Sequence, residues 1–516
     1  MNARELQQVR LGIGSGGFQP VTHGPIDQAS SEREQRAVED MLLGLAPAQS
    51  WPKDAYRSYC PRPILVGEQH LRQLRDLHAA LTAAITDIVQ RWWTDDEARF
   101  PERMPLDPSE EDLLQWLEDQ VALGNLAPYP ACRGSWRPDF LIPDGSPGET
   151  FVVSEINARF SFNGFMFAAH GQRVLNTGVA DVVNATEPET LLDGLQSLFD
   201  PSLPLHLLKE KEHGIDIQMA VTMAREKLGI TPRFVKPADL RLLRDPRSKT
   251  GYKLCCVVEA DSQEPGGIVS GDGEFLEEIH QVGLELHHAE FLALEPEMLR
   301  QVGLRCFNDM RTVLLVHDKR MLGIVKQELP SLVARKVLTS DQAKTLDAGI
   351  PETILPGSEQ LRRLIELMAA SPELRRHYIM KPIRSGKGDG IVFGEDMAHP
   401  GDWMATLRRQ LETARPVPGL TCVVQRRIRQ RLYPLLLKAS GQMVRYALVG
   451  TFHVVHGRLL GFGIWRTSAD RICAVSTGGS WLCSVQAMSA TDRPRRRARP
   501  TAADMEAMAE SESDAC

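Results

Sequence analysis

The residues with the clearest chemical potential lie in two short runs in which polar and apolar residues alternate. In WRPDF, Arg137 and Asp139 lie two residues apart, so both belong to one face of a predicted strand. The same holds for Glu155 and Asn157 in VVSEIN. If the intervening turn centres on Pro147, Asp139 lies opposite Glu155. The same register sets Arg137 opposite Asn157, although a turn of this length also permits other registers.

Two carboxylates that oppose each other on paired strands repel unless a positive charge lies between them. Mg²⁺ suits this gap, because it takes hard oxygen ligands such as one or two carboxylates together with substrate phosphates. Glu155 follows the apolar residues 151–153, which predicts a partly buried carboxylate with a cationic partner. A solvated polar face on an edge hairpin is the alternative interpretation.

A second segment, YIMKPIRSGKGDGIVFG, places a lysine just before a glycine-rich loop. Lys381 ends one predicted strand, and the loop 385–390 precedes another. The backbone N–H groups of such a flap can cover phosphates. The segment matches neither the P-loop pattern nor the glycine pattern of dinucleotide-binding folds, and an ordinary hairpin turn is the alternative.

Other polar residues follow apolar runs. TVLLV at 312–316 predicts a strand, and Lys319 lies just beyond it at the start of a predicted helix. Gln425, Arg445 and Arg466 lie on or beside successive predicted strands. Side chains at strand ends can line a ligand crevice, but each of these residues is equally typical of a protein surface.

These residues need a frame of helices and strands. Apolar spacing of three and four predicts helices over 31–126, residues 160–330 alternate helical and strand-like runs, and 378–485 is rich in short strands. This pattern indicates an α/β (α+β) fold. The predicted regions are a helical region 1–130, an α/β region with the hairpin at 131–330, a nucleotide-binding region 331–490 and a disordered tail 491–516.

Composition narrows the possible functions. A formal net charge of -7 over 516 residues provides no overall basic field for a nucleic-acid backbone. The nine cysteines include no CxxC pair, which favours reduced thiols and a cytoplasmic location, and Cys255 and Cys256 fit a buried strand. No run is apolar enough for a membrane span or a secretory signal.

In their order along the chain, these motifs resemble the ATP-grasp ligases of the glutathionylspermidine synthase type, in which an acidic metal-binding segment precedes the ATP-binding lysines. The matching stretches are WRPDF, VVSEINARFSFNGF, LVHDKRMLG, IPETIL, YIMKPIRSGKGDGIVFG, VVQRRI and GFGIWRTS. They span 135–468, which leaves out the helical N-terminus and the tail. The resemblance implies an ATP-grasp-like fold that uses ATP and Mg²⁺.

The resemblance also implies residue roles. Asp139, Glu155 and Asn157 look like Mg²⁺ ligands, and Arg137 looks like the residue that stabilises the transferring phosphoryl group. Arg159 is predicted to clamp a substrate carboxylate, because a guanidinium can bind a carboxylate through two hydrogen bonds. The predicted ATP-binding residues are Lys319, Lys381, Ser385, Gly386, Lys387, Gly388, Gln425 and Arg466.

The sequence also departs from that type of ligase. The acidic motif usually continues with an Asp-Thr-Pro segment that helps to bind a peptide, whereas this chain continues ARFSFNGF, so glutathione and spermidine are not implied. The implied activity joins a small-molecule carboxylate to an amine through an acyl phosphate, with no nucleic-acid or membrane partner. A kinase-like ATP-grasp enzyme and a nucleotide-binding regulatory protein without turnover are the alternatives.

Overall fold

The computed structural model describes residues 5–13, 17–23, 27–145, 148–175, 177–179, 181–259, 268–411, 415–438 and 441–488. The predicted tail and the turn residue Pro147 lie outside these ranges. The helices are α1 (Gln28–Leu45), α2 (Glu68–Gln90), α3 (Phe100–Arg103), α4 (Pro108–Ala122), α5 (Tyr129–Cys132), α6 (Phe165–Arg173), α7 (Pro188–Gln196), α8 (Ile217–Leu228), α9 (His288–Leu292), α10 (Pro296–Arg305), α11 (Arg320–Ala334), α12 (Ser340–Gly349), α13 (Glu359–Ala370) and α14 (Pro400–Leu411).

The strands lie between these helices and continue to the end of the described chain. They are β1 (Gln7–Leu11), β2 (Phe18–Pro20), β3 (Ile64–Val66), β4 (Ser135–Leu141), β5 (Val152–Asn157), β6 (Val182–Asn184), β7 (His206–Lys209), β8 (Arg233–Val235), β9 (Leu240–Arg244), β10 (Tyr252–Val257), β11 (Ile268–Val269), β12 (Phe275–Glu278), β13 (Val282–Glu285), β14 (Thr353–Ile354), β15 (Tyr378–Pro382), β16 (Val392–Phe393), β17 (Cys422–Arg426), β18 (Leu432–Leu436), β19 (Met443–Ala447), β20 (Val449–Val455), β21 (Arg458–Thr467), β22 (Ser480–Leu482) and β23 (Ser484–Ala487). The mixture of helices and sheets confirms the predicted fold class.

Within the described ranges the strands form six sheets, and two of them carry the predicted site residues. The hairpin sheet has the order β22-β21-β20-β4-β5, and the flap sheet has the order β14-β17-β15-β16. The remaining orders are β2-β1-β3-β23-β6, β11-β12-β10-β9, β13-β7-β8 and β18-β19.

The hairpin β4–β5 has the predicted register. Arg137 pairs with Asn157, and Asp139 pairs with Glu155, in an antiparallel ladder whose register shifts just after Asp139. On its other side β4 pairs with β20, so it is an internal strand of the sheet. Because side chains alternate along a strand, Phe140 and its cross-strand neighbours pack into the core while the polar residues share the other face.

The N-terminal region contains the predicted helices and also three strands that the sequence pattern did not predict. Helix α4 begins at Pro108, after an N-cap Asp107 whose backbone N–H donates to Glu110 in a capping box. Strand β3, by contrast, pairs in parallel with β23 from the far end of the described chain. Such long-range pairing leaves no local signal in the sequence.

The predicted strand at 312–316 is wrong. Thr312–Val316 forms a short π-helix, and all five residues are buried. A short apolar run fits a buried helical segment as well as a buried strand, because burial on every side removes the periodicity that separates the two. The predicted helix after Lys319 is correct, since Lys319 is the N-cap residue of α11.

The core consists of three hydrophobic clusters in the described residues, and two of them support the strands of the site. The largest packs α2 and α11 against the hairpin strands, with Phe140 and Val153 among its members. Another packs α13 and α14 on the flap sheet around the buried Trp403. Cys255 and Cys256 are buried in β10, as predicted. No helix in the described ranges is long and apolar enough to cross a bilayer.

Candidate functional site

A cleft of about 1330 Å³ opens between the hairpin sheet and the flap sheet. The predicted site residues in its wall are Arg137, Asp139, Glu155, Asn157, Arg159, Lys381, Ser385, Gly386, Lys387, Gly388, Gln425 and Arg466. Lys319 lies next to that wall, with its Nζ 3.4 Å from Glu155 Oε2. Arg445 is different, because it lies exposed on β19 and does not line the cleft.

Of the two opposed carboxylates on β4 and β5, Asp139 is the better buried. Its Oδ2 forms an ion pair with Arg466, and its Oδ1 lies 3.4 Å from Arg137 Nε. Oδ1 nevertheless accepts no hydrogen bond from any described residue. Arg137 itself donates through Nη1 to the carbonyl oxygen of Asn163 at 3.1 Å. The pair of arginines therefore balances the charge of Asp139 without using all of its acceptor capacity.

Glu155 lies opposite Asp139 and is surrounded by lysines. Burial alone would raise the pKa of Glu155, but the cations of Lys319, Lys381 and Arg466 outweigh burial and lower it to about 2. Burial, helped by the charge of Lys319, lowers the pKa of Lys381 to about 8. The ammonium of Lys381 donates one hydrogen bond, to the carbonyl oxygen of Ser154 at 3.3 Å. Its other donors can therefore serve a ligand.

The oxygen atoms of the hairpin fit a hard divalent cation. The unpartnered Oδ1 of Asp139 and the carboxylate of Glu155 both line the cleft. Asn157 donates to the Arg137 carbonyl through Nδ2 at 3.4 Å, a bond that uses its amide nitrogen and not its oxygen. No three His, Cys, Asp or Glu side chains in the described ranges are grouped for a metal, so Asn157 and ligand oxygens would complete the coordination. In this structure Arg466 and Lys319 supply the positive charge that the opposed carboxylates require.

The glycine-rich flap has the predicted strand, loop and strand. Ile379 pairs with Phe393 across β15 and β16, and the loop 385–390 joins the two strands. Lys319 Nζ donates to the Ser385 carbonyl at 2.6 Å, which connects the flap to the lysine beside Glu155. Gly388 has a φ of 81°, and a Cβ there would lie 2.2 Å from Ile472. Glycine is therefore required for this close approach.

Gln425 occupies the middle of the flap sheet. Its strand β17 pairs with β14 and β15, and Gln425 Nε2 donates to Thr353 Oγ1 at 3.0 Å. The side-chain amide is thus held by the sheet even though the residue lines the cleft. Its predicted role in ATP binding stays a prediction.

The structure also brings cleft residues together that the sequence did not predict. His317 and His453 line the cleft, and each has one ring nitrogen without a hydrogen-bond partner among the described residues. Burial and a neighbouring cation lower the pKa of each to about 3, so both rings are neutral. Glu212 and His287 line another part of the wall. Glu212 lies in the polar run KEKEHG just after strand β7. A polar residue that follows an apolar run is the same pattern that predicted a cleft position for Lys319.

The fold is similar to that of a solved protein structure. A solved structure of a glutathione synthetase-like effector from Globodera pallida, in its apo form, matches with a TM-score of 0.51 and 12% identity. The match covers 89% of this chain and 98% of that one. At this identity the match shows the fold alone, which is glutathione synthetase-like.

Sequence comparison then identifies the family. Residues 77–315 match the family AnkG N-terminal domain. The ATP-grasp enzyme ankG of Aspergillus thermomutatus is 36% identical over 428 residues, which are 80% of this chain and 86% of that protein. The chain belongs to the family of this ATP-grasp enzyme. The resemblance to ATP-grasp ligases is thus confirmed at the level of the ATP-grasp class, and the glutathionylspermidine synthase type stays a prediction.

Proposed function

We propose that this protein is an ATP- and Mg²⁺-dependent ligase that activates a small-molecule carboxylate as an acyl phosphate and joins it to an amine. One observation carries the proposal. The opposed carboxylates Asp139 and Glu155 converge with Lys381 and Arg466 in one deep cleft beside a glycine-rich flap. Carboxylates and cations at such close range suit a polyanion that arrives together with a metal.

The chain's own residues would hold the nucleotide. Lys319 and Lys381 neutralise phosphate charge, and Arg137 stabilises the charge that develops on the transferred phosphoryl group. When bound by Asp139, Glu155 and Asn157, Mg²⁺ would supply further charge neutralisation at the phosphates. The flap 385–390 closes over the phosphates and excludes water.

The reaction has two steps. A carboxylate oxygen of the substrate attacks the γ-phosphorus of ATP, and ADP leaves, which produces the acyl phosphate. The amine, as a neutral nucleophile, then attacks the acyl carbon, phosphate leaves, and the amine gives up a proton. Arg159 would orient the carboxylate, because its guanidinium lines the cleft and is held over the Phe160 ring at 4.3 Å.

The proposal includes the wider predictions from the sequence. We assign the division into regions 1–130, 131–330, 331–490 and 491–516. We also assign a cytoplasmic location. The partners we assign are small molecules, and neither nucleic acid nor a membrane is among them. The small-molecule partners are supported by a cleft that is large enough for a nucleotide and a second ligand.

The test is ADP release with a panel of carboxylates in the presence of hydroxylamine. Hydroxylamine converts an acyl phosphate to a hydroxamate, so a carboxylate that stimulates ADP release should also produce its hydroxamate. A stable phosphorylated product that hydroxylamine does not trap would instead indicate a kinase-like enzyme. Nucleotide binding without ADP release for any carboxylate would indicate a regulatory protein.

A further inference from the structure

One buried histidine of the cleft wall has no role in the mechanism above. His317 lines the cleft and has an exposed fraction of 8%. It follows the short π-helix Thr312–Val316 directly and lies two residues before Lys319 in the segment LVHDKRMLG. This segment therefore brings a second side chain with chemical potential to the cleft beside the lysine.

The backbone of the hairpin holds one ring nitrogen of His317. Nδ1 lies 3.3 Å from the carbonyl oxygen of Ile156 and 3.4 Å from the amide nitrogen of Ala158. The hairpin sheet ends at β5, so these two backbone groups lie at its free edge. The imidazole thus takes the place of a further strand and is fixed in position by it.

The other ring nitrogen has no partner. Nε2 is buried and forms no hydrogen bond with any described residue. Buried polar atoms of native proteins are normally satisfied, so an exception calls for a ligand or a catalytic role. Here the exception belongs to a side chain that lines the cleft.

The ring of His317 is neutral and lies among positive charges. Burial, helped by the charges of Lys319, Arg159 and Arg384, lowers its pKa to about 3. Each of these cations also has a carboxylate partner, and the partners are Glu155, Glu212, Asp318 and Glu110. The charges that act most strongly on the ring are nevertheless the three cations.

A neutral imidazole has one N–H donor and one lone pair, so the position of its proton decides what Nε2 can do. A proton on Nδ1 donates to the Ile156 carbonyl and leaves the lone pair on Nε2. A proton on Nε2 would instead direct an N–H dipole into a positive field. The cations favour the first tautomer, because they stabilise a lone pair and repel an N–H. We therefore assign Nε2 as a hydrogen-bond acceptor.

We propose that Nε2 of His317 accepts a hydrogen bond from the amine substrate and orients it, in its uncharged form, towards the acyl carbon. The inference rests on the proposed ligase function and adds the chemical class of the second substrate, a nitrogen nucleophile that binds without charge. A neutral primary amine offers an N–H to Nε2 and keeps its own lone pair for the attack. An ammonium ion has no lone pair, and the three cations repel it.

The position of His317 suits this role. Lys319 is proposed to bind phosphate, and Arg159 is proposed to orient the substrate carboxylate. The charges of both residues act on the ring of His317, so an acyl phosphate that extends from one to the other passes close to it. An amine on Nε2 would then lie beside the acyl carbon, which is the geometry that the attack requires.

The step needs no further base. The amine has lost its ammonium proton to water before it enters the cleft. Its lone pair forms the C–N bond, the bond between the acyl carbon and the phosphate oxygen breaks, and phosphate leaves with that electron pair. The departing phosphate takes the proton from the new amide nitrogen and becomes hydrogen phosphate. His317 stays unprotonated, because a group with a pKa of about 3 accepts a hydrogen bond but is a poor base.

The test separates the two ring nitrogens by two substitutions. Asparagine can place an amide nitrogen near the position of Nδ1, whereas glutamine can place an amide oxygen near the position of Nε2. The nucleophile is hydroxylamine, which is uncharged at neutral pH, together with the carboxylate that gives the most hydroxamate. The wild type should show saturation with hydroxylamine. His317→Asn should lower kcat/KM for hydroxylamine roughly ten- to a hundredfold and leave the KM for ATP unchanged, and His317→Gln should retain most of the wild-type value.

His170→Asn is the matched control. His170 is also buried, with an exposed fraction of 4%, and its Nδ1 has no partner among the described residues. Burial lowers its pKa to about 4, but it does not line the cleft. His170→Asn should therefore leave kcat/KM for hydroxylamine and the KM for ATP unchanged.

A second measurement needs no variant and decides the question if His317→Asn does not fold. Ethylamine should compete with hydroxylamine for the acyl phosphate in the wild type. The pKa of its ammonium lies near that of a lysine side chain, about 10.4, so its neutral fraction rises about tenfold from pH 7 to pH 8. The inhibition constant of ethylamine, expressed as total amine, should fall by the same factor.

Several results would overturn this role of His317. They are an unchanged kcat/KM for hydroxylamine in His317→Asn, and a larger loss in His317→Gln than in His317→Asn, which marks a structural contact of Nδ1. An inhibition constant of ethylamine that is equal at both pH values, or no inhibition at all, would also overturn it. So would a strictly linear dependence on hydroxylamine in the wild type, because the acyl phosphate would then react outside the cleft. Absence of hydroxamate from the wild type with every carboxylate would instead contradict the ligase function, and the role of His317 with it.

Discussion

Two buried charge clusters of this protein differ in how completely their polar atoms are used. Outside the cleft, the fully buried Glu149 accepts hydrogen bonds from the Leu6 amide at 2.7 Å, from His70 Nε2 at 2.9 Å and from Tyr433 Oη at 2.8 Å. In the cleft, Oδ1 of Asp139 and the Nε atoms of Arg137 and Arg466 have no hydrogen-bond partner among the described residues. Both clusters are charged and buried, but only the first is saturated.

The difference separates a structural network from a binding site. Buried polar groups in native proteins are normally satisfied, so a saturated network such as that of Glu149 fixes the fold. The network ties the segment before β1 to α2 and β18. The cleft cluster balances its charges but keeps donors and acceptors free, which is the condition for taking up a charged ligand.

The largest expected effect is on catalysis. Asp139→Asn and Glu155→Gln each remove a proposed metal-binding charge and nearly preserve shape, so we expect roughly a hundred- to thousandfold loss of kcat. Both variants should still unfold cooperatively but at a somewhat lower temperature, because each removes counter-charge from a buried cation, Arg466 for Asp139 and Lys319 for Glu155. The measurement is steady-state ADP release at saturating Mg²⁺ together with a thermal scan.

Glu149→Gln is the matched control from the saturated network. It should keep kcat at temperatures where the protein is folded and lose about 1–3 kcal/mol of unfolding free energy, since donors of the network lose their acceptor. If Glu149→Gln abolished turnover while Asp139→Asn only reduced stability, the comparison between the two clusters would be reversed.

Lys381→Ala should have an intermediate effect. Removal of its ammonium should weaken ATP binding roughly ten- to a hundredfold, because a charge-assisted hydrogen bond contributes about 1.5–3 kcal/mol. Lys387→Ala should weaken it less, since the ammonium of Lys387 is largely exposed and exposed charges contribute about 0–1 kcal/mol. Calorimetric titration with ATP and Mg²⁺ measures the ATP affinity of both variants. An unaltered affinity in Lys381→Ala would exclude this lysine from the nucleotide site.

The hairpin shows which parts of the site could be predicted from the sequence. Its alternation and turn are local features, so the pairing of Asp139 with Glu155 followed from counting residues, and the structure confirms it. The run at 312–316 was assigned to the wrong element because it is buried on every side. Burial there removed the only periodicity that could have identified a helix.

Pairing between distant strands shows what the sequence could not provide. Glu212 and Glu285 lie close together only because β7 pairs with β13. No local sequence pattern predicts that pairing. The same holds for β3 and β23, which join the two ends of the described chain in one sheet. Contacts between distant strands decide these positions, whereas the hairpin and the flap depend on their own residues.

The smallest expected effect is a pH dependence of stability. Burial would raise the pKa of Glu149, but its hydrogen bonds from His70 and the Leu6 amide outweigh burial and lower it. A carboxyl whose folded-state pKa is depressed stabilises the native state above its unfolded value, near 4.5, and this contribution is lost as the pH falls through the folded value. The stability difference between the wild type and Glu149→Gln should therefore shrink below about pH 4.5. Chemical denaturation at several pH values checks this, and a difference that grew on acidification would contradict it.

The most direct test of the account is the metal dependence of nucleotide binding. ATP with Mg²⁺ should raise the melting temperature of the wild type, since a ligand at about 100 times its Kd stabilises by roughly 2.7 kcal/mol. ATP with excess EDTA should raise it much less, because Asp139 and Glu155 then repel the phosphates. In Asp139→Asn the melting-temperature shift produced by ATP with Mg²⁺ should approach the shift produced by ATP with EDTA. Equal shifts with and without metal in the wild type would contradict the metal-binding hairpin, and no shift with ATP would contradict a nucleotide site in this cleft.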